Sequence, residues 1–221
     1  KSYNMQNNKN IFHFYQSSGI YDRIIFKHRK NKSRPTLEKI TEKILSLKNI
    51  YNKQNNQMVF SDGNNKSKIM IIGDAPGISD EIKGKPFSGD AGLLLDKMLD
   101  AINLNRSKVY LTNVINYRLP DNKKLSDNDI RNFQPLILEH IIAINPELIL
   151  IFGSSALKTL FENYQSISKH RGKWLQLKIN NYTYDCMPSY HPNFLINQPS
   201  QKKYSWLDLK ELNKRINQEK I

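Results

Sequence analysis

One cysteine, Cys186, stands in 221 residues. A lone thiol closes no intramolecular disulfide and supplies too few ligands for a cysteine-based zinc or iron–sulfur site. The expectation is a reducing, intracellular setting and a protein with no bound metal or cofactor. Long apolar runs are missing as well. No stretch reaches the length of a membrane-spanning helix, and no apolar signal-peptide core lies near Lys1. Disulfide scaffolds and integral membrane proteins are thereby set aside. Acids are the third shortage: 34 Lys and Arg face only 20 Asp and Glu, a formal charge of +14. An excess of that size points to a polyanionic partner, nucleic acid ahead of an anionic membrane. The competing explanation is compositional drift, because the chain also carries 26 Asn with abundant Lys and Ile.

Glycine is scarce but not evenly so. Of nine glycines, five (Gly73, Gly77, Gly84, Gly89 and Gly92) fall within "GDAPGISDEIKGKPFSGDAG", with acids between them and Phe87 in their midst. Such a concentration asks for a local cause, either tight turns or close approach of backbone to something else.

The remaining chain is long enough for one domain with a sizeable core. Residues 1–34 hold eight Lys and Arg against one acid, Asp22, and read as a basic extension with a short helix. From residue 35 onward strands and helices alternate. "LEKITEKILSL" has helical spacing at Leu37, Ile40, Ile44 and Leu47. "QMVFSDGNN" reads as a short strand and turn. "KIMII" (68–72), "KVYLTNV" (108–114), "ELILIF" (147–152) and "YTYDCM" (182–187) read as buried strands. Between them "AGLLLDKMLDAI", "DIRNFQPLILEHIIAI" and "SSALKTLF" read as helices, with Ser126 and Asp129 placed for a capping box. "PSYHPNFLINQP" is expected to be a loop, and "KKYSWLDLKELNKRIN" a closing amphipathic helix. This order specifies an α/β fold, three layers αβα, around a central four-stranded parallel sheet.

In such a sheet, ligands bind beyond the carboxyl ends of the strands. The residues found there are Gly73-Asp74-Ala75-Pro76-Gly77, Asn113, Gly153-Ser154-Ser155 and the "PSYHPNF" loop with His191. Four loops should therefore converge on one rim. Taken singly, each has an ordinary structural explanation: a turn glycine, a satisfied turn Asn, a surface His, a core Phe87. Their shared position is what raises them together.

The motifs "GDAPG…DE…GKPFSGDAGLLLDKML", "VYLTNV", "PELILIFGSSALKTL", "RGKW" and "YHPNFLINQP" resemble, in order and spacing from about 36 to 212, those of a family 4 uracil-DNA glycosylase. "FYQSSGIYD" (14–22) is similar to the leading helix of alphaproteobacterial members, which implies a bacterial cytoplasm or an organelle of bacterial ancestry. The resemblance implies a monofunctional, monomeric repair enzyme that releases uracil from DNA and leaves an abasic site. By the same resemblance Gly73, Ala75 and Gly77 line the pocket, with Asp74 acting on the water. Phe87 stacks on the extruded uracil, Asn113 reads its O4/N3 edge and His191 donates toward O2. Ser88, Arg118, Lys123 and Ser154 are the expected contacts to the DNA strand. The segment opened by Pro192 pushes into the duplex, with Phe194 or Leu195 as wedge.

The chain departs from that pattern in three places. Asp74 stands where Glu is usual, and the later Glu-Asp pair is Asp80-Glu81. Two cluster-ligating cysteines are replaced by Tyr117 and Phe133, and the other pair, near Leu47–Tyr51, is missing, so aromatic packing must substitute for a [4Fe–4S] cluster. Lys123 replaces an expected Arg, which keeps charge but loses the bidentate fork. The second function these departures allow is a catalytically inactive protein on the same fold, with a structural role in a nucleoprotein or ribonucleoprotein assembly.

Overall fold

The structure is a computed structural model that describes residues 34–120, 125–161 and 166–221. The basic extension up to residue 33, and Lys123, lie outside the described residues. Thr36–Ile221 cluster as a unit of their own.

Helix α1 (Leu37–Ser46) starts at Thr36, whose side chain accepts from the Lys39 N–H, and buries Ile40 and Ile44. Then come β1 (Ser61–Gly63), β2 (Ile69–Gly73), α2 (Ile78–Lys83), α3 (Asp90–Asp100) and β3 (Tyr110–Asn113). They are followed by α4 (Asp127–Ile144), β4 (Leu148–Phe152), α5 (Ser154–Leu160), α6 (Ile167–His170), β5 (Leu175–Ile179) and β6 (Tyr182–Ser189). Helices α7 (Pro192–Asn197) and α8 (Lys202–Glu219) close the chain. The capping box of α4 is formed: Ser126 Oγ accepts from the Asp129 N–H, and Asp129 Oδ2 accepts from the Ser126 N–H.

The sheet order is β1-β3-β2-β4-β6-β5. The four expected strands are its parallel centre, in register Gly73↔Asn113, Ile72↔Ile151 and Phe152↔Ser189. Two antiparallel edge strands extend it, β1 on β3 and β5 on β6. Strands β2, β3 and β4 are buried throughout, and β6 is buried over its last four residues, as a sheet covered on both faces requires. Alternation along them sorts the core into two layers. Met70, Ile72, Ile149 and Ile151 pack with α1, α4 and α5. Ile69, Ile71, Leu148, Leu150 and Phe152 pack with α3 and α8. This is the three-layer αβα arrangement.

One expectation is corrected. The "PSYHPNFLINQP" loop contains a helix, α7, with Pro192 at its first turn, where a missing N–H costs nothing.

Where the resemblance places a metal cluster, the chain has built an aromatic core instead. Tyr51 stacks on Tyr117 at 5.9 Å and tilts onto Phe133 at 5.3 Å, and Tyr117 meets Phe133 edge-on at 6.4 Å. Among the described residues no group of three or more His, Cys, Asp or Glu is placed to hold a metal ion. Cys186 is buried in β6, and burial pushes its thiol far above the ordinary range. The residues present do not fit an iron–sulfur cluster.

Candidate active site

The carboxyl ends of β2, β3, β4 and β6 bring their loops to one rim, and Gly73 is the point on which two of them close. A Cβ there would sit 2.4 Å from Asn113 Oδ1 and 2.6 Å from Phe87 Cζ, so neither neighbour could keep its place beside any larger residue. Gly73 thus lets an amide and an aromatic ring approach each other over bare backbone.

Asn113 ends β3 and is 3% exposed. Its Nδ2 is buried with no hydrogen-bond partner. Leaving a buried donor unmade costs about 1–3 kcal/mol, so this amide calls for a partner that the protein itself does not supply.

Phe87 is buried at 4% exposure, yet its backbone has φ +55°, a region a bulky residue rarely enters. Its ring meets Phe152 edge-on at 6.4 Å and stacks with His191 at 5.6 Å and 22°. The two glycines of the motif that touch it are Gly73 and Gly92. At Gly92 a Cβ would fall 1.7 Å from the Phe87 carbonyl oxygen.

His191 caps α7. Its Nδ1 accepts from the Asn193 N–H at 3.1 Å, which leaves the ring proton of a neutral imidazole on Nε2. Burial lowers the pKa to about 4, so the ring is neutral at pH 7 and Nε2–H is a fixed, uncharged donor.

Asp74 follows β2 and turns toward β4. Its Oδ1 accepts from the Ala156 N–H at 2.6 Å in the first turn of α5, and Ser155 N–H also contributes. Gly153, at φ +104°, makes room: a Cβ there would lie 2.3 Å from Asp74 Oδ2. Burial raises the carboxyl to about 7 against the lowering by those two backbone donors, which places its titration at neutrality.

The Asp80-Glu81 pair is engaged inside the protein. Asp80 Oδ2 accepts from the Gly77 N–H at 2.9 Å and Oδ1 from the Ser88 N–H at 2.6 Å, tying the turn after β2 to the loop that carries Phe87. Glu81 holds Lys53 at 2.5 Å and Arg118 at 2.8 Å. Burial alone would raise Glu81, but these cations outweigh it and its pKa is lowered.

The other expected residues divide. Ser154, the first residue of α5, is exposed on the rim, and Ser88 lies partly exposed beside Phe87. Ala75 packs against the α1/α4 core, on the other side of the sheet from the Phe87 cluster. Gly77 is exposed, with only Asp80 Oδ2 within 4 Å of a would-be Cβ. Arg118, expected on phosphate, has Glu81 as an internal partner. Leu195 is corrected: at 1% exposure it is a core residue of the α3/α8 layer, whereas Phe194 is 41% exposed against Tyr190. Pro192 is buried beneath the same turn. Two contributors went unseen in the sequence, Phe152 and Arg106. The first lay in an anonymous apolar run. The second bonds backbone carbonyls, which leave no sequence signal.

The family model of the uracil DNA glycosylase superfamily matches residues 60–213 of this chain. A type-4 uracil-DNA glycosylase of Saccharolobus solfataricus is 33% identical over 165 residues, 72% of this chain and 76% of that protein. One from Sulfurisphaera tokodaii is 33% identical over 183 residues, 80% of this chain and 83% of the relative. One from Archaeoglobus fulgidus is 29% identical over 182 residues, 80% and 92% of the two chains.

Proposed function

We propose, from the premise that this chain belongs to the uracil DNA glycosylase superfamily, that it is a DNA repair enzyme hydrolysing the N-glycosidic bond of deoxyuridine in DNA. It releases uracil and leaves an abasic site for base excision repair. The observation that carries the reading is the buried, unpartnered Asn113 Nδ2 beside the Phe87 ring.

A base inside a duplex must leave the stack to be read and cut. In the extruded position uracil lies against Phe87, whose π-face contributes about 1–3 kcal/mol in stacking of this kind. Asn113 Nδ2 donates to uracil O4 and Oδ1 accepts from N3–H. Cytosine presents a donor where O4 would be and an acceptor at N3, so both contacts turn repulsive. As the glycosidic bond lengthens, negative charge collects on the departing base. The neutral His191 Nε2–H donates to O2 and stabilises that charge without a proton leaving the ring. Asp74, titrating near pH 7, orients water toward the sugar carbon and takes up its proton. Phe194, exposed on the first turns of α7, fills the space the base vacates. Ser88, Arg118, Lys123 and Ser154 serve the strand, with Arg118 doing so only by sharing its guanidinium with Glu81.

A base-specific site complete within one chain supports action as a monomer. DNA as substrate supports an intracellular location, and the likeness of "FYQSSGIYD" to alphaproteobacterial members supports a bacterial cytoplasm or an organelle of bacterial ancestry. No described helix is long and apolar enough to cross a membrane. Residues 35–221 form the catalytic domain and 1–34 a basic extension adding phosphate contacts. Deleting 1–34 should flatten the fall of DNA affinity with salt, and an unchanged slope would remove that role.

The deciding experiment is single-turnover uracil release from a labelled oligonucleotide, with a cytosine-containing strand as control. Wild-type protein that binds DNA and releases nothing would sink the reading.

A further inference from the structure

The aromatic platform of the candidate site has an unusual support. Phe87 sits at φ +55°, a conformation its own side chain disfavours, and something outside the loop must hold it there. Arg106, just ahead of β3, meets that need. Its Nη2 donates to the Phe87 carbonyl at 2.5 Å and its Nη1 to the Pro86 carbonyl at 3.3 Å. The same guanidinium is fixed from two other directions. Nη1 reaches Asp62 Oδ2 on β1 at 2.9 Å, and Nε reaches Asp96 Oδ1 on α3 at 2.7 Å.

Gly92 completes the arrangement. It lies on the first turn of α3 against the Phe87 carbonyl, and a Cβ there would overlap the carbonyl and come within 3.0 Å of Arg106 Nη2. The carbonyl is therefore gripped by the guanidinium over a surface kept bare for it. The strand β1, the helix α3 and the loop 86–87 share a single planar fork with five donors, a geometry lysine cannot reproduce.

We propose that Arg106 is a positioning residue for base excision, acting through Phe87: it anchors the strained backbone so that the ring stands ready for the extruded base. The assignment rests on the glycosylase reading above. Arg106 is joined to Phe87 by its carbonyl and not by its ring, so an effect exerted by placing that ring must vanish when the ring is gone.

A double-mutant cycle tests that dependence, using full-length protein, single-turnover uracil release and thermal melting. Arg106→Lys should lower the excision rate in the wild-type background by about 10²-fold, the scale of a misplacement near 1 Å. In the Phe87→Ala background the same change should cost at most a few-fold, because there is no ring left to misplace. Weaker bonding to Asp62 and Asp96 will also lower the melting temperature in both backgrounds, so rates are compared at matched folded fractions.

A full 10²-fold loss in both backgrounds, or no loss in either, overturns the proposal while leaving the glycosylase reading intact. Wild type without uracil release overturns the glycosylase reading itself, and the proposal with it. Should Arg106→Lys fail to fold, Gly92→Ala displaces the same carbonyl while keeping all three ion-pairing side chains, Arg106, Asp62 and Asp96. Its loss of rate must likewise disappear in the Phe87→Ala background, and a loss that persists there refutes the proposal.

Discussion

Two aromatic clusters pack against opposite faces of one sheet. Tyr51, Tyr117 and Phe133 lie in the α1/α4 layer, and Phe87, Phe152 and His191 gather at the rim of the other. Ring separations are similar. What differs is the state of the polar atoms and of the backbone. In the first cluster the Tyr51 hydroxyl donates to Asp129 at 2.9 Å, and the Tyr117 hydroxyl donates to the Ile44 carbonyl at 3.2 Å. In the second an amide nitrogen stays unmade, a phenylalanine holds a positive φ, and burial keeps a histidine neutral. Aromatic content alone does not tell packing from chemistry. Unsatisfied donors and strain held in place do.

The largest expected effect tests the quiet cluster. Phe133→Ala opens a cavity among Tyr51, Tyr117 and α1 and should cost about 3–5 kcal/mol of folding free energy. Excision per folded molecule should stay at the wild-type level. Denaturant melts with single-turnover assays at matched folded fractions would show it. A loss of intrinsic rate would mean that the two clusters communicate through the sheet.

Next come the two substitutions that address the working cluster directly. Asn113→Asp puts a carboxylate opposite uracil O4, and His191→Ala removes the donor to O2. Each should lower the single-turnover rate by on the order of 10²–10³, as for loss of one placed donor. Duplex affinity should change little, since phosphates dominate it. Active wild type with both variants undiminished would put the site elsewhere.

Asp74 supplies a pH test. If its ionised form handles the water, the excision rate should rise with pH and level off above about 7, where burial places its titration. His191, at about 4, should add no falling limb at neutrality. The stability effect has the opposite sign. The unfolded chain gives up this proton in the ordinary carboxylate range, whereas the folded chain keeps it to about 7. Across that interval the folded state binds more protons, so stability falls as pH rises. Asp74→Asn should abolish the rate limb and flatten this fall, leaving the variant more stable than wild type at pH 8. A wild-type rate constant flat from pH 6 to 8 would remove Asp74 from the water step.

How much of this was legible before the structure follows the same division. Strands β2 and β4 were readable because burial on both faces makes them continuous apolar runs, as in Leu148–Phe152, whereas β3 and β6 were readable from their aromatic and β-branched content. The edge strand β1 falls within "QMVFSDGNN", readable as a short strand and turn, but it takes the Ser-Asp-Gly end and not the apolar Met-Val-Phe, and β5 (Leu-Gln-Leu-Lys-Ile) has no counterpart among the expected strands. The rim residues were legible through the sheet rule, which fixes places before residue types are considered. Phe194 and Leu195 could not be separated until α7 existed to point one outward and one inward. Arg106 was invisible for a physical reason: two of its acceptors are carbonyls 20 and 19 residues away, and every residue has a carbonyl.

The smallest effect probes how completely the quiet cluster is satisfied. Tyr51→Phe keeps the ring and its stacking on Tyr117 but removes the hydroxyl that donates to buried Asp129 and accepts from Asn132 at 3.3 Å. A hydrogen bond to a charged group contributes about 1.5–3 kcal/mol, and an ordinary one about 1. Asp129 keeps its capping bonds to Ser126, which softens the loss. We expect about 1–2 kcal/mol of destabilisation by denaturant titration, with the excision rate unmoved. The contrast with Asn113 then becomes quantitative. Removing one polar group would cost stability and no rate, and exchanging the other, an amide for a carboxylate, would cost rate and little stability. If Tyr51→Phe slowed excision, or if Asn113→Asp destabilised the fold by several kcal/mol, unsatisfied donors would no longer separate the two regions.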